Sequence, residues 1–108
     1  MTGAELAQKV IQHYNTSDVF ELVQSTGVTI LYAHWHPTTM GEFHKKTKTI
    51  YVNLNVSIEK KHIITHELGH YFIDHFGLKM SKTDEEKTVQ EFAETLESPS
   101  EDGGNKYY

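Results

Sequence analysis

The chain has 108 residues, a formal charge of −5 and no cysteine, which bounds it to one small domain and excludes disulfides, thiolate metal sites and a thiol nucleophile. All ten basic residues are lysine; without arginine's bidentate fork, direct nucleic-acid readout is not expected. No apolar run approaches the roughly 18 residues of a membrane span and the start lacks a charged-then-apolar leader pattern, so no membrane contact is expected and the cytoplasm is the default location.

Thr2-Gly3-Ala4-Glu5 spells a capping box, and Leu6, Val10 and Ile11 form the apolar stripe of a first helix ending near Asn15. Asp18 with Glu21 opens a short second helix that Gly27 can close. Val28 to Trp35, rich in β-branched and aromatic residues, reads as a strand broken by Pro37 and Gly41. Gly41 to His44, a lysine-rich turn and Thr49 to Leu54 read as a hairpin, its second strand alternating Ile50, Val52 and Leu54 against Tyr51 and Asn53. Ser57 is the expected cap of a helix over residues 58–76, closed by Gly77. Thr83-Asp84-Glu85-Glu86 is a second capping-box spelling, and Val89, Phe92, Ala93 and Leu96 recur at helical spacing, predicting a last helix over 84–97 that Pro99 stops. Residues 100–108, acidic and glycine-rich, read as a disordered tail beyond a single domain of residues 1–99. The expected class is α+β: a small, mostly antiparallel sheet of roughly three strands packed on a central helix, with helices at both ends.

That central helix carries His66-Glu67-Leu68-Gly69-His70. On a helix the two histidines lie one turn apart and project from one face, so each can offer a neutral imidazole nitrogen to a single zinc ion, the expected cofactor. Glu67 sits beside them, where a general base is needed to deprotonate a water. The flanking Ile63-Ile64-Thr65 and Tyr71-Phe72-Ile73 make the helix apolar on more than one side. Gly69 costs about 1 kcal/mol relative to alanine in a helix, and its position implies that another element approaches closely there.

A catalytic zinc needs a third protein ligand. The spacing that would place a third histidine six residues after His70 finds Phe76 instead. Asp74 lies one turn beyond His70, but three consecutive turns of a straight helix diverge from a common point. Glu85, Glu86 and Glu91 on the last helix remain open: Glu86 could equally serve the capping box headed by Thr83, and Glu85 has the better register with Val89, Phe92 and Leu96.

Residues 41–97 resemble the ImmA/IrrE family of zinc metallopeptidases. The resemblance rests on the hairpin, the strand Ile50-Tyr51-Val52-Asn53-Leu54-Asn55, the block Ile64 to Phe72 with His75 following, and Glu86 to Leu96. Aligning Phe92-Ala93 with the family's last-helix pattern implies Glu86 as the third ligand beside His66 and His70, with Glu67 as the catalytic base. Val89 and Gln90 depart from that pattern; the family has Asn or Asp at the second position, a residue type that orients a metal-bound histidine, and Gln90 could do so with a longer reach. Leu96-Glu97-Ser98-Pro99 matches the family's ending only loosely. The chain also stops where family members continue, which predicts dependence on a partner for substrate capture or a loss of turnover.

The resemblance implies hydrolysis of a peptide bond in a regulatory protein, with a helix-turn-helix repressor in mobile elements or stress responses as substrate. Strand Thr49 to Asn55 could accept an extended peptide at the sheet edge. Tyr51, His62, His44, His36 and His34 are candidates for stabilising the oxyanion. The competing reading is a zinc-stabilised module that antagonises a repressor by binding alone; a small structural protein with a fortuitous motif is the blandest.

Overall fold

Capping chemistry sets both N-terminal helices. In the computed structural model, which describes residues 1–98, α1 (Gly3–Tyr14) begins at Thr2, whose side chain accepts from the Glu5 amide while Glu5 accepts from the Thr2 amide, and it ends on Asn15 in the left-handed conformation. Helix α2 (Val19–Thr26) is capped by Asp18, which accepts from the Phe20 and Glu21 amides, and is closed by Gly27 at φ 76°. The expected stop at Pro99 and the 100–108 tail lie outside the described residues.

Three strands follow: β1 (Thr29–Ala33), β2 (Gly41–His44) and β3 (Thr49–Asn53). They form one sheet in the order β1-β3-β2, with β3 parallel to β1 and antiparallel to β2. The α+β class stands, but the sheet is mixed, which corrects the expected mostly antiparallel arrangement. The cause lies in the β1–β2 connection. Instead of turning back beside β1, the chain crosses the end of β3 and descends on its far side. Asn53 pins this crossing: its side chain donates to the Thr39 carbonyl (2.7 Å) and the His36 carbonyl (2.9 Å), and accepts from the Asn55 amide (2.9 Å). Each bond replaces water that a buried amide would otherwise lose.

With β3 in the middle, Ile50 and Val52 are fully buried against the helices. Cross-strand partners share a face, so Gly41 and Phe43 point the same way, toward the helices, while Leu31, Tyr51, Glu42 and His44 share the opposite face. That outer face is solvent-facing, and Leu31 is 46% exposed.

Helix α3 (Lys60–His75) carries the motif through the centre, with Ile63, Ile64, Leu68 and Phe72 all buried. It starts from Glu59 without a side-chain cap, so Ser57 does not cap it. It ends in a Schellman motif around Gly77 at φ 66°, where the Gly77 amide donates to Asp74 and the Leu78 amide to Ile73. Helix α4 (Lys82–Glu97) is capped two residues earlier than expected, by Ser81 accepting from the Asp84 amide at 3.1 Å. It runs antiparallel to α3: His70 meets Glu85 and Glu86 near one end, and His62 meets Glu97 at the other. At the closest approach, a Cβ on Gly69 would lie 3.1–3.2 Å from Val89 and Phe92, which accounts for a glycine in the middle of this helix.

Candidate metal centre

His66 and His70, one turn apart on α3, are each only 17% exposed at the side chain, and both turn Nε2 toward α4. The Glu86 carboxylate spans them, with one oxygen 3.6 Å from His66 Nε2 and the other 3.4 Å from His70 Nε2. One ligand atom from each of the three lies within 4.8 Å of the other two, so the group could hold a metal ion. The capping shift makes this possible. Because Ser81 and Asp84 close the first turn of α4, Glu86 is released from the capping role that Thr83 would have imposed. Its side chain is 54% exposed, so the cluster opens to solvent on that side.

The other acidic candidates lie elsewhere or act differently. Glu85 accepts from His70 Nδ1 at 2.6 Å, leaving Nε2 to face Glu86; a carboxylate on the distal nitrogen fixes the tautomer and ring orientation of a metal-binding histidine. From the sequence, Glu85 is a candidate ligand and Gln90 the candidate for the orienting role. Gln90 instead reaches Glu94 at 3.3 Å on the exposed side of α4. The signal for Glu85 was its helical register. Glu91 accepts from the Gly3 amide at 3.0 Å and anchors the start of α1. Asp74 is exposed and faces Lys45 at 3.9 Å.

Glu67 is 5% exposed and lies between α3 and β2. A Cβ on Gly41 would sit 2.7 Å from Ile63 and 3.3 Å from Glu67 Cγ, so only glycine lets this strand lie against the motif. Burial pushes the Glu67 carboxyl up to about 7; His70 opposes the rise, and Glu86 and Glu42 add to it. Burial, with His70 alongside, also presses the His66 imidazole below its ordinary value against the pull of Glu86, which favours the neutral ring a metal requires.

No hydrogen bond or ion pair joins any of the five oxyanion candidates to His66, His70 or Glu86. The Tyr51 and His44 rings meet at a tilt, 4.7 Å between centroids, on the outer sheet face, where with Trp35, Ala33 and Glu42 they line a shallow cavity of about 190 Å³. His34 pairs with Asn55 and His36 with Thr38. His62, a turn before His66, pairs with Glu97 at 2.9 Å and lines a larger cavity of about 740 Å³ that shares no residue with the cluster. Strand β3 cannot take a peptide at the sheet edge because it has a partner on both sides. The edge nearest the motif is β2. The Asn53 amide donates to the Met40 carbonyl, and in an antiparallel pair bonded residues alternate, so Gly41 and Phe43 direct their backbone groups outward.

Comparison with known proteins gives one distant relative. Over 66 residues the chain is 32% identical to a protein of Bacillus phage phi105 named "Uncharacterized immunity region protein 2", an overlap that covers 58% of this chain and 42% of that protein. The chain thus spans less than half the length of that relative. No family model matches it, and no solved structure matches it. Among the described residues no helix is long and apolar enough to cross a membrane.

Proposed function

We propose that the chain is a zinc metallopeptidase of the ImmA/IrrE type that cleaves a helix-turn-helix repressor and so relieves repression. The observation that carries this reading is the convergence of His66 Nε2, His70 Nε2 and the Glu86 carboxylate beside the buried Glu67. Two imidazoles and one carboxylate, with no thiolate, are the donor set of a hydrolytic zinc site rather than a structural one. A zinc ion held by these three residues would supply the Lewis acidity that polarises a scissile carbonyl and acidifies a water.

The remaining chemistry falls to the chain itself. Glu67, buried beside the two histidines, accepts the proton of the attacking water and returns it to the leaving amine. Glu85 holds His70 in the tautomer that presents Nε2. The substrate backbone pairs with the outward groups of Gly41 and Phe43 as a fourth strand beside β2. The phage relative's name, which refers to an immunity region, supports a regulatory protein as the substrate.

Position 90 favours a second reading, a zinc-stabilised module that blocks a repressor without cutting it. Gln90, standing where the family has Asn or Asp, turns away from the histidines. Zinc content and cleavage separate the readings. The wild type is expected to bind about one zinc per chain; Glu86→Ala loses it, whereas Glu85→Ala keeps a site weakened by about 10- to 100-fold. Glu67→Gln retains zinc and abolishes cleavage of the repressor. Full anti-repressor function in Glu67→Gln would establish the binding module, and a wild type that takes up no zinc would refute both.

A further inference from the structure

Strand β1 is the other free edge of the sheet, and it carries none of the devices that usually guard one. Its sequence, Thr29-Ile30-Leu31-Tyr32-Ala33, has no lysine and no proline, and its register with β3 runs without a bulge. Not one of its five residues is buried, and Leu31 and Tyr32 are 46% and 50% exposed. Helix α3 packs under β2 and β3, so β1 projects past it. We propose that β1 is a self-association edge: a second copy of this chain pairs with it antiparallel through its own β1, joining the two three-stranded sheets into one.

The backbone geometry fixes how the two copies meet. The Thr29 amide donates to the Lys48 carbonyl, and the Leu54 amide donates to the Ala33 carbonyl. Alternate residues of a strand bond to the same neighbour, so Thr29, Leu31 and Ala33 bond inward to β3 while Ile30 and Tyr32 direct their N–H and C=O groups outward. Among the described residues those outward groups meet no protein partner. They are self-complementary under a two-fold axis. Ile30 of one copy faces Tyr32 of the other and exchanges both backbone bonds with it, and the reciprocal pair does the same. On the helix-side face this sets a β-branched side chain beside an aromatic one, a favourable cross-strand pair. Leu31 then lies on the axis and meets the Leu31 of the second copy at a narrow pair, with Cα atoms about 4.5 Å apart, on the outer face.

Charge argues for a second copy as the occupant. Each copy carries a formal charge of −5, so two copies repel wherever their acidic surfaces approach. Between Glu21 and Glu42, however, there is no Asp, Glu or Lys, although charged residues make up 23% of the chain. Strand β1 lies in the middle of that stretch, where two like-charged molecules can approach at least cost. A strand without charge also offers nothing to select a partner of opposite sign. Depletion of charge around exposed aromatic and aliphatic side chains is the composition of an interface core. The pairing leaves β2 and the metal centre free, because β2 becomes the outer strand at each end of the joined sheet. It therefore stands whether or not the chain is a peptidase.

Sedimentation of the full chain tests the proposal, from about 5 to about 500 µM. The wild type is expected to pass from monomer to dimer across that range. Leu31→Lys sets two like charges against each other on the axis and is expected to raise the dimer Kd at least about tenfold; Leu31→Glu should do the same. An equal mixture of the two variants should recover the dimer, since each lysine then faces a glutamate. Hydrogen exchange on the wild type needs no variant: the Ile30 and Tyr32 amides should gain protection as concentration rises, while the Leu31 amide, bonded to β3, is protected throughout. A wild type that stays monomeric at the highest concentration would overturn the proposal. So would a dimer that both variants leave intact, a mixture that stays monomeric, or protection of Ile30 and Tyr32 in the monomer, which would show another stretch of the chain covering the edge.

Discussion

Glu67 is a carboxyl that the fold makes expensive to ionise, since almost none of it reaches water. Its pKa in the folded, metal-free chain is raised from an ordinary 4.5 to about 7. A raised acid pKa means that the folded state holds its proton more tightly than the unfolded one. The associated stability is therefore complete below about pH 4.5 and lost as pH rises through about 7, a change of about 3 kcal/mol. Urea unfolding with a chelator present, from pH 5 to pH 8, should show this decline in the wild type and not in Glu67→Gln. Parallel curves for the two proteins would mean that the carboxyl is better solvated than its burial implies. The motif itself was legible in the sequence because His-Glu-x-x-His encodes a geometry within one helix. The choice between Glu85 and Glu86 was not legible, because both fall on the first turns of α4 and the decision depends on which residue caps it. Ser81-x-x-Asp84 and Thr83-x-x-Glu86 are overlapping spellings, and only the folded chain shows that the earlier one prevails.

Helices were the more readable elements. Thr2, Asp18 and Gly27 each act on neighbours within four residues, so their effect is contained in a short stretch of sequence. Strand boundaries were also readable to within a few residues, because alternation reports which face is buried. Alternation is silent about which strand lies alongside: the β2–β3 hairpin is there as the sequence predicts, but β3 is the centre of a mixed sheet and not an edge open to a peptide. Gly41 shows the same limit. In the sequence it breaks a strand; in the fold its missing side chain brings β2 against Ile63 and Glu67. Gly41→Ala is expected to destabilise the domain by about 1–3 kcal/mol through overpacking, and more than Gly69→Ala, where the neighbours are side chains at 3.1–3.2 Å and helix propensity offsets part of the strain. Denaturant midpoints of the two variants check the order, and equal midpoints would show that β2 can lift away freely.

For the whole molecule, a metal would join α3 to α4 in a fold whose described part is residues 1–98. A ligand that binds only the folded state stabilises it by mass action, about 4 kcal/mol at free zinc about a thousand times Kd. In a domain of this size that corresponds to a fall of roughly 15–30 °C in Tm on chelation. Calorimetry with and without chelator should show this fall in the wild type and little change in Glu86→Ala. A wild-type Tm indifferent to chelation would mean that the helices hold together without the ion. The strand order also has a consequence for how the chain acquires its shape. Strands β1 and β2 do not pair with each other; each is laddered to β3, which comes last in sequence and takes the middle place. A fragment ending before Thr49 therefore contains two of the three strands and no sheet at all. As the chain is synthesised, β1 must wait without a partner until β3 has emerged to receive it.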